Sequence, residues 1–305
     1  MLFIPFKFDL SLSKIPYLTI VVCLICIGVY SQQFANEIEF HEQTYAYCDQ
    51  SMSHSQRMSM EKALGDGSAE GCVALMYELT LADDPKEVVK SYAANAEKFA
   101  AFSKEDSRLF IEDFLMQKYE GYLRNVPPYQ TKSLWYVPDS WNPVTMVTST
   151  FSHGSWDHLI GNLIFFFAFA AAVELIVGSL AFLGIILFMA FGTNVAYSLA
   201  MSSVENALPT VGLSGVVMGM MAMLAYFMPT AKIRCFYWFL IKIGTVAVSA
   251  WILALVYVGL DVWTLMSQDE MGGVNLVAHV SGAVIGVLLG ATLFRRQKRM
   301  VAVDL

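Results

Sequence analysis

The chain has 305 residues and a formal net charge of −7, and its composition is 56% hydrophobic and 15% charged. Charged residues make up roughly 25% of an ordinary soluble chain, so this composition excludes a conventional soluble protein and indicates that most of the chain lies in lipid. The net negative charge also disfavours binding to nucleic acid, which requires clustered cations.

Apolar runs long enough to cross about 30 Å of hydrocarbon predict six transmembrane helices. The runs are Ile15–Tyr30, His158–Val177, Leu180–Met201, Gly212–Met228, Phe236–Leu260 and Val274–Phe294. The first run follows Lys7 and Lys14, as a secretory signal does, but no small-residue cleavage site comes after it. We therefore expect an uncleaved signal anchor.

The distribution of positive residues predicts the orientation of the spans. Lys232, Arg234 and a basic tail lie on the same side as the N-terminus, whereas the short segments 202–210 and 261–273 on the other side contain no Lys or Arg. By the positive-inside rule, both termini are expected in the cytoplasm. The expected location is a cell membrane.

The stretch Gln33–Asp157, between the first two spans, is too polar for lipid and carries 19 acidic and 10 basic residues. We predict that it forms a small outward-facing insert with two to four short helices. Asp84 followed by Pro85, and Ser103 followed by Asp106, are typical of helix starts. The acidity is typical of a solvated surface, and it leaves open a protein partner for the insert.

The five cysteines give no pattern typical of a metal site, and we predict neither a metal nor another cofactor. Cys23 and Cys26 lie on the first apolar helix, where thiols commonly act as small buried hydrophobes. Cys48 and Cys72 lie in the insert, where an oxidising compartment allows them to pair. The sequence does not decide between a disulfide and two free thiols.

The fourth span begins with Gly212-Leu213-Ser214-Gly215, which predicts a serine at a helix N-terminus. Free backbone N–H groups and the helix dipole favour negative charge that develops at such a position. Glycines near a serine are also typical of closely packed membrane helices. Taken alone, the motif therefore fits a packing surface at least as well as a nucleophile.

The sixth span contains His279, and Gly282, Gly286 and Gly290 share its helical face. Such a face allows a second helix to approach closely, and we expect that helix to be the fourth span. This arrangement would bring His279 within hydrogen-bonding reach of Ser214, as proton transfer requires. A structural, hydrogen-bonded imidazole is the alternative, but ionisable groups within a membrane are usually functional.

His158 and Asn162 lie four residues apart at the start of the second span and therefore share one helical face. Both side chains can donate hydrogen bonds to an oxyanion. The alternative interpretation is a polar helix start, with Asp157 as its cap.

These motifs resemble those of the rhomboid family of intramembrane serine proteases. The resemblance rests on three patterns that occur in the family's order: H-x-x-x-x-H-x-x-x-N with His153, His158 and Asn162; G-x-S-G with Gly212, Ser214 and Gly215; and A-H-x-x-G-x-x-x-G with Ala278, His279, Gly282 and Gly286. The resemblance implies a Ser-His dyad without a third, acidic member. It implies that Ser214 is the nucleophile and His279 the general base.

The resemblance also implies roles for the surrounding residues. His158, Asn162 and the backbone N–H of Ser214 are expected to stabilise the oxyanion. The supporting residues are expected to be His153, Gly212, Gly215, Met218 and Gly282. Met218 occupies a position where many family members have an aromatic side chain that stacks on the catalytic imidazole. Glu174 matches a family glutamate that has a structural role. Six spans without a seventh resemble the bacterial form of the family, which implies the bacterial inner membrane as the location.

The expected fold is an all-α polytopic membrane protein, a six-transmembrane-helix rhomboid-like bundle with a small helical extramembrane insert between helices 1 and 2. We predict four parts: residues 1–32 form the cytoplasmic N-terminus and first transmembrane helix, 33–142 the acidic insert, 143–294 the rhomboid core with transmembrane helices 2–6, and 295–305 a basic cytoplasmic tail.

The expected function is an intramembrane endopeptidase that cleaves membrane-protein substrates containing a transmembrane helix near the outward face of the bilayer. Met266–Gly273 is a candidate cap over the site, or an ordinary polar loop. Two alternatives remain. A non-catalytic rhomboid-like protein that binds or chaperones membrane clients would be expected to lack the serine or the histidine. A transporter would be expected to show charged or broken spans.

Overall fold

The computed structural model describes residues 2–8, 15–50, 52–204, 207–239, 242–267 and 275–301. The chain divides into two compact units, one formed by Met1–Ser31 and Leu134–Leu305 and the other by Gln32–Ser133. The first unit contains the apolar helices, and the second contains most of the acidic residues.

Helices dominate the described chain and are accompanied by three short strands. The helices are α1 (Tyr17–Asp49), α2 (His54–Leu64), α3 (Ala69–Leu81), α4 (Pro85–Asn95), α5 (Lys104–Asn125), α6 (Gln130–Leu134), α7 (Pro143–Phe151), α8 (Trp156–Val177), α9 (Ser179–Met201), α10 (Ser214–Phe227), α11 (Ala250–Ser267), α12 (Leu276–Thr292) and α13 (Arg295–Val301). The strands are β1 (Leu2–Phe8), β2 (Lys232–Phe239) and β3 (Lys242–Ser249).

Four of the described helices are long and apolar enough to span a membrane, namely α1, α8, α9 and α11, while α10 and α12 are shorter apolar helices. The helical polytopic fold class predicted from the sequence is therefore confirmed. With 14 residues, α10 is about 21 Å long and cannot cross about 30 Å of hydrocarbon. At least one end of α10 must therefore lie within the depth of the bilayer.

The predicted fifth span, Phe236–Leu260, is wrong in its first half, where β2 and β3 form an antiparallel hairpin. β1 pairs antiparallel with β2 and completes a three-stranded sheet. Buried Ile233 and Cys235 alternate with exposed Lys232 and Arg234, which is the two-residue period of a strand. A search for apolar runs uses composition and ignores the spacing of apolar residues. It therefore joined these strands to the helix that follows them.

The helical part of this segment, α11, extends beyond the predicted end of the span. It begins at Ala250 and continues to Ser267, so Asp261 lies within the helix and not in the following loop. The apolar residues Val262, Trp263 and Leu265 continue the helix after Asp261. A charged residue therefore lies on an otherwise apolar helix.

Glu174, near the C-terminal end of α8, binds the start of α1. Its carboxylate accepts hydrogen bonds from Leu18 N (3.0 Å), Thr19 N (2.8 Å), Thr19 Oγ1 (2.8 Å) and Ser179 Oγ (2.9 Å). The first N–H groups of a helix lack intrahelical partners, and the helix dipole favours an anion beside them. These contacts agree with the structural role that the resemblance implied for Glu174.

The second unit has its own hydrophobic core, whose buried members include Phe40, Met76 and Leu115. Both expected helix starts occur: Asp84 caps α4, and Ser103 caps α5. Five helices, α2–α6, follow α1 in this part of the chain, more than the two to four predicted. The excess includes the five-residue helix α6, which is too short for a periodic signal in the sequence.

Cys48 and Cys72 form a disulfide in the second unit, with their Cα atoms 5.7 Å apart. Of the two alternatives that the sequence left open, the structure therefore contains the disulfide. Cys23, Cys26 and Cys235 are free thiols.

Candidate active site

The helices α10 and α12 pack with their backbones in direct contact. A Cβ atom added to Gly282 would collide with the carbonyl oxygen of Gly215, and one added to Gly286 would collide with the carbonyl oxygen of Gly219. Only glycine fits at these two positions on α12, because any side chain would push the helices apart. The helix pairing that the sequence predicted between the fourth and sixth spans is therefore present.

Ser214 is the first residue of α10 and is half-buried. The preceding residue, Leu213, occupies the N-cap position and provides no side-chain cap, so α10 begins with backbone N–H groups that no capping side chain engages. A Cβ atom on Gly215 would lie 3.1 Å from the carbonyl oxygen of Ala278, the residue before His279. His279 therefore lies at the same level of the helix pair as the N-terminal end of α10.

The loop before Ser214 passes against His158 and Asn162. Gly212 has a φ of 115°, a conformation that favours glycine, and its N–H donates to the carbonyl oxygen of Ser149 at 2.8 Å. A Cβ atom on Gly212 would lie 2.7 Å from His158 Cε1 and 3.4 Å from Asn162 Nδ2. Both expected oxyanion donors are therefore adjacent to the backbone two residues before Ser214.

Asn162 is 7% exposed, and its Nδ2 atom has no hydrogen-bond partner within the part of the chain that the structure describes. A buried donor without a partner costs about 1–3 kcal/mol, and most such donors in proteins are satisfied. Here the unsatisfied donor lies beside the loop that leads into Ser214. The position suits a site that supplies the missing acceptor when a ligand oxygen binds.

His153 lies in the linker between α7 and α8, is 1% exposed, and its ring is 5.2 Å from the ring of His158 between centroids. Burial, together with the neighbouring His158, lowers the pKa of His153 to about 3, so the ring is neutral at neutral pH. The cap of α8 is Ser155, whose Oγ accepts from His158 N at 3.1 Å. Asp157 is therefore not the cap that the alternative interpretation required.

The start of α12 is bonded to the loop before α10. Asn275 caps α12 by accepting from Ala278 N at 2.9 Å, and its Nδ2 donates to Thr210 Oγ1 at 3.0 Å. The imidazoles of His158 and His279 are near enough to affect one another electrostatically. The loop before α10 is therefore adjacent to His158 and is bonded to the start of α12, the helix that carries His279.

Sequence reasoning missed several residues that position the loop before α10. Tyr136 and Thr210 exchange two backbone hydrogen bonds, of 3.0 and 2.8 Å, and Tyr197 Oη donates to Leu208 O at 2.6 Å. Asn194 Nδ2 donates to Met146 O at 2.6 Å and thereby connects α9 to α7. Asn194 and Tyr197 are polar groups on an apolar helix, and that signal could have identified them.

Sequence reasoning also missed the partner of His279. His279 Nδ1 lies 3.0 Å from Asp261 Oδ2, and both side chains are 15% exposed.

Met218, one turn after Ser214 on α10, is buried. Of the candidate cap, residues 268–273 lie outside the described residues. The described residues contain no group of three or more His, Cys, Asp or Glu side chains that could hold a metal ion.

Comparisons with known proteins identify relatives of the part of the chain that carries this site. The family profile described as "Rhomboid domain" matches residues 140–296. The chain is 33% identical over 143 residues to "Rhomboid-like protein 11, chloroplastic" from Arabidopsis thaliana, an alignment that covers 47% of this chain and 50% of that protein. It is 24% identical over 193 residues to "Rhomboid protein 1, mitochondrial" from Saccharomyces cerevisiae, which covers 55% of this chain and 53% of that protein. The chain spans about half the length of these curated relatives. Because the family profile matches more than half of the chain and the fold is a helical polytopic one, this membrane protein belongs to the rhomboid family.

Proposed function

We propose that the protein is an intramembrane serine endopeptidase that cleaves transmembrane segments of other membrane proteins. One observation carries the proposal: the buried amide nitrogen of Asn162 has no described partner and lies beside the loop that leads into Ser214. A hydrogen-bond donor that is already oriented in a site with little water stabilises a developing oxyanion more than it stabilises the resting protein. The base is His279, because its helix α12 packs closely against α10, which carries Ser214.

The proposed reaction begins when Ser214 Oγ attacks the carbonyl carbon of the scissile peptide while His279 Nε2 takes the hydroxyl proton. The π electrons of the carbonyl move to its oxygen, which becomes an oxyanion stabilised by Asn162, His158 and the N–H of Ser214. The protonated His279 then gives its proton to the leaving nitrogen as the C–N bond breaks. A water molecule attacks the acyl-enzyme in the same way and releases the new carboxyl group.

We propose that the end of α10 carrying Ser214 faces the outward side of the membrane. Lys298 lies 3.8 Å from the centre of the Tyr226 ring, at the C-terminal end of α10, so the basic tail lies at the opposite end from Ser214. Positive residues favour the cytoplasmic side. The disulfide Cys48–Cys72 is typical of an oxidising compartment, and we propose that the insert lies outside the cytoplasm.

The experiment that tests the proposal uses the full chain in liposomes with a reporter protein that has one transmembrane helix. We expect Ser214→Ala and His279→Ala each to reduce cleavage to background while the protein still inserts into the membrane. A fluorophosphonate probe should label Ser214, and the label should be lost in both variants. Ser203→Ala and His54→Ala, which change an exposed serine and an exposed histidine, are the matched controls and should cleave normally.

Full cleavage by either Ser214→Ala or His279→Ala would reject the proposed dyad. The second candidate function, binding or chaperoning of membrane clients without cleavage, is supported by the rhomboid family membership alone. It predicts that the reporter co-purifies with the unchanged protein and remains intact. It also predicts that the reporter does not compete with the probe for a serine. The chain has both Ser214 and His279. The close approach of α10 and α12, the helices that carry them, supports the protease.

A further inference from the structure

The carboxylate of Asp261 is the nearest charged group to the imidazole of His279 that the structure describes on a neighbouring helix. Asp261 Oδ2, on α11, lies 3.0 Å from His279 Nδ1, on α12. Both side chains are 15% exposed, so water screens the contact only in part. The two residues lie on different helices, so the contact fixes the position of the ring relative to α11 and is independent of the glycine contacts with α10.

A carboxylate on an apolar helix is costly in a membrane unless it has a partner. The large side chains next to Asp261 on α11 are exposed and apolar, among them Leu260 and Trp263. The buried Thr264, one turn later, donates its hydroxyl to the carbonyl oxygen of Leu260. Leucine or valine would be the inexpensive choice at position 261. The energetic cost of Asp261 is therefore offset mainly by His279, and the pair calls for an explanation beyond packing.

The chemistry of the pair determines which nitrogen of His279 carries the proton. An ionised carboxylate only accepts hydrogen bonds, so Nδ1 must donate to it and must carry the proton. In the neutral ring, Nε2 is then left with its lone pair, as a general base requires. When Nε2 takes a proton, the positive charge that forms on the ring lies beside the negative charge of Asp261.

We infer that Asp261 is a positioning residue for the reaction: it holds His279 in the Nδ1–H form and stabilises the imidazolium that forms when Ser214 is deprotonated. This inference rests on the proposed function. It adds a third, acidic member on α11 to the expected Ser-His dyad. Asp261 itself keeps its charge throughout and transfers no proton, so the proton from Ser214 still travels through Nε2 to the leaving nitrogen.

The first test compares Asp261→Asn and Asp261→Glu in the full chain with the transmembrane reporter. We expect Asp261→Asn to lower kcat about 10²- to 10⁴-fold with little change in KM, because its amide can hold the ring in the wrong tautomer. Asp261→Glu keeps the carboxylate and should recover part of this loss. Thr264→Val, which removes a buried hydroxyl from the same helix, is the matched control and should keep the normal kcat.

A pH profile separates positioning from a merely structural role. Asp261→Asn removes the negative charge beside the imidazolium, so the acid limb of kcat/KM should move to lower pH. His158 on α8 interacts electrostatically with His279, and it is unchanged in this comparison. A structural role alone would lower activity at every pH and leave the limb in place.

A measurement on the unchanged protein keeps the inference falsifiable if Asp261→Asn does not fold. The ¹⁵N chemical shifts of His279 at a pH where the ring is neutral should show the proton on Nδ1. Two results would overturn the inference: a proton on Nε2 of His279, or a folded Asp261→Asn variant with the normal kcat and pH profile. If Ser214 is still labelled by the probe in that case, the proposed function stands without the inference. Absence of both cleavage and Ser214 labelling in the unchanged protein would instead reject the proposed function.

Discussion

The amide of Asn162 is a group whose lack of a partner is explained most simply by a ligand. We predict that Asn162→Ala lowers kcat about 10²- to 10³-fold, the usual effect of removing one oxyanion donor, with a small change in KM. Stability should change little, because Nδ2 gives up no hydrogen bond to the described chain. Cleavage assays and thermal unfolding of the purified protein measure the two effects.

The control for this prediction is the neighbouring residue. Gly161 on α8 is exposed, and a Cβ atom added there would meet no atom within 4 Å, so Gly161→Ala should keep both activity and stability. If Asn162→Ala cleaves at the normal rate, the amide is not an oxyanion donor, whatever the effect of Ser214→Ala.

The sequence predicted the residues of the candidate site that occur in short motifs, and it missed those that act across helices. His158 and Asn162 were placed on one face because four residues make about one helical turn, and the structure has both beside Gly212. Asp261 is 18 residues from His279 and on another helix. Spacing along the chain carries no information about such a contact, which depends on how α11 packs against α12.

The close approach of α10 and α12 is a property of two helices and depends on glycines at the contact. We predict that Gly282→Ala destabilises the protein by about 1–3 kcal/mol, the usual range for overpacking, because the new Cβ would meet the backbone carbonyl of Gly215. A backbone atom cannot rotate away as a side chain can. The helices must separate, so cleavage should fall together with stability, as measured by thermal unfolding in detergent and by the reporter assay.

The comparison for Gly282→Ala is Gly259→Ala on α11, where the added Cβ would meet no atom within 4 Å. This variant should have normal activity and equal or slightly higher stability, since it removes a flexible residue without a collision. Equal stability of the two variants would show that α10 and α12 do not approach as closely as the glycine contacts require.

At the scale of elements, the sequence predicted apolar helices well and strands poorly. The fifth span was misplaced because residues 236–239 and most of β3 are apolar and lead directly into the apolar helix α11. The alternation of Lys232, Ile233, Arg234 and Cys235 was a signal for a strand, but it covers only four residues. The pairing of β2 with β1 joins the chain's first residues to a segment more than 220 positions later, which no local pattern reports.

At the scale of the whole molecule, the sequence identified a polar, acidic insert among apolar spans but not where its helical structure begins. The first span was predicted to end at Tyr30, whereas α1 continues to Asp49 with no break. A helix keeps the same period when its residues change from apolar to polar, so hydropathy marks the end of the apolar segment and not the end of the helix. The cores of the two units contain separate sets of residues.

The separate core of the second unit leads to a prediction about its disulfide. Cys48 and Cys72 are 24 positions apart, and a cross-link closing a loop of this size stabilises a fold by roughly 3 kcal/mol. We predict that the double change Cys48→Ser and Cys72→Ser lowers the stability of the second unit by about this amount. Limited proteolysis of the full chain should then cut within Gln32–Ser133 at lower protease concentration, because this unit opens more often. Cys23→Ser, outside this unit, is the control and should leave the pattern of proteolytic cuts unchanged. New cuts confined to Leu134–Leu305 in the double variant would contradict the prediction that the disulfide stabilises the second unit.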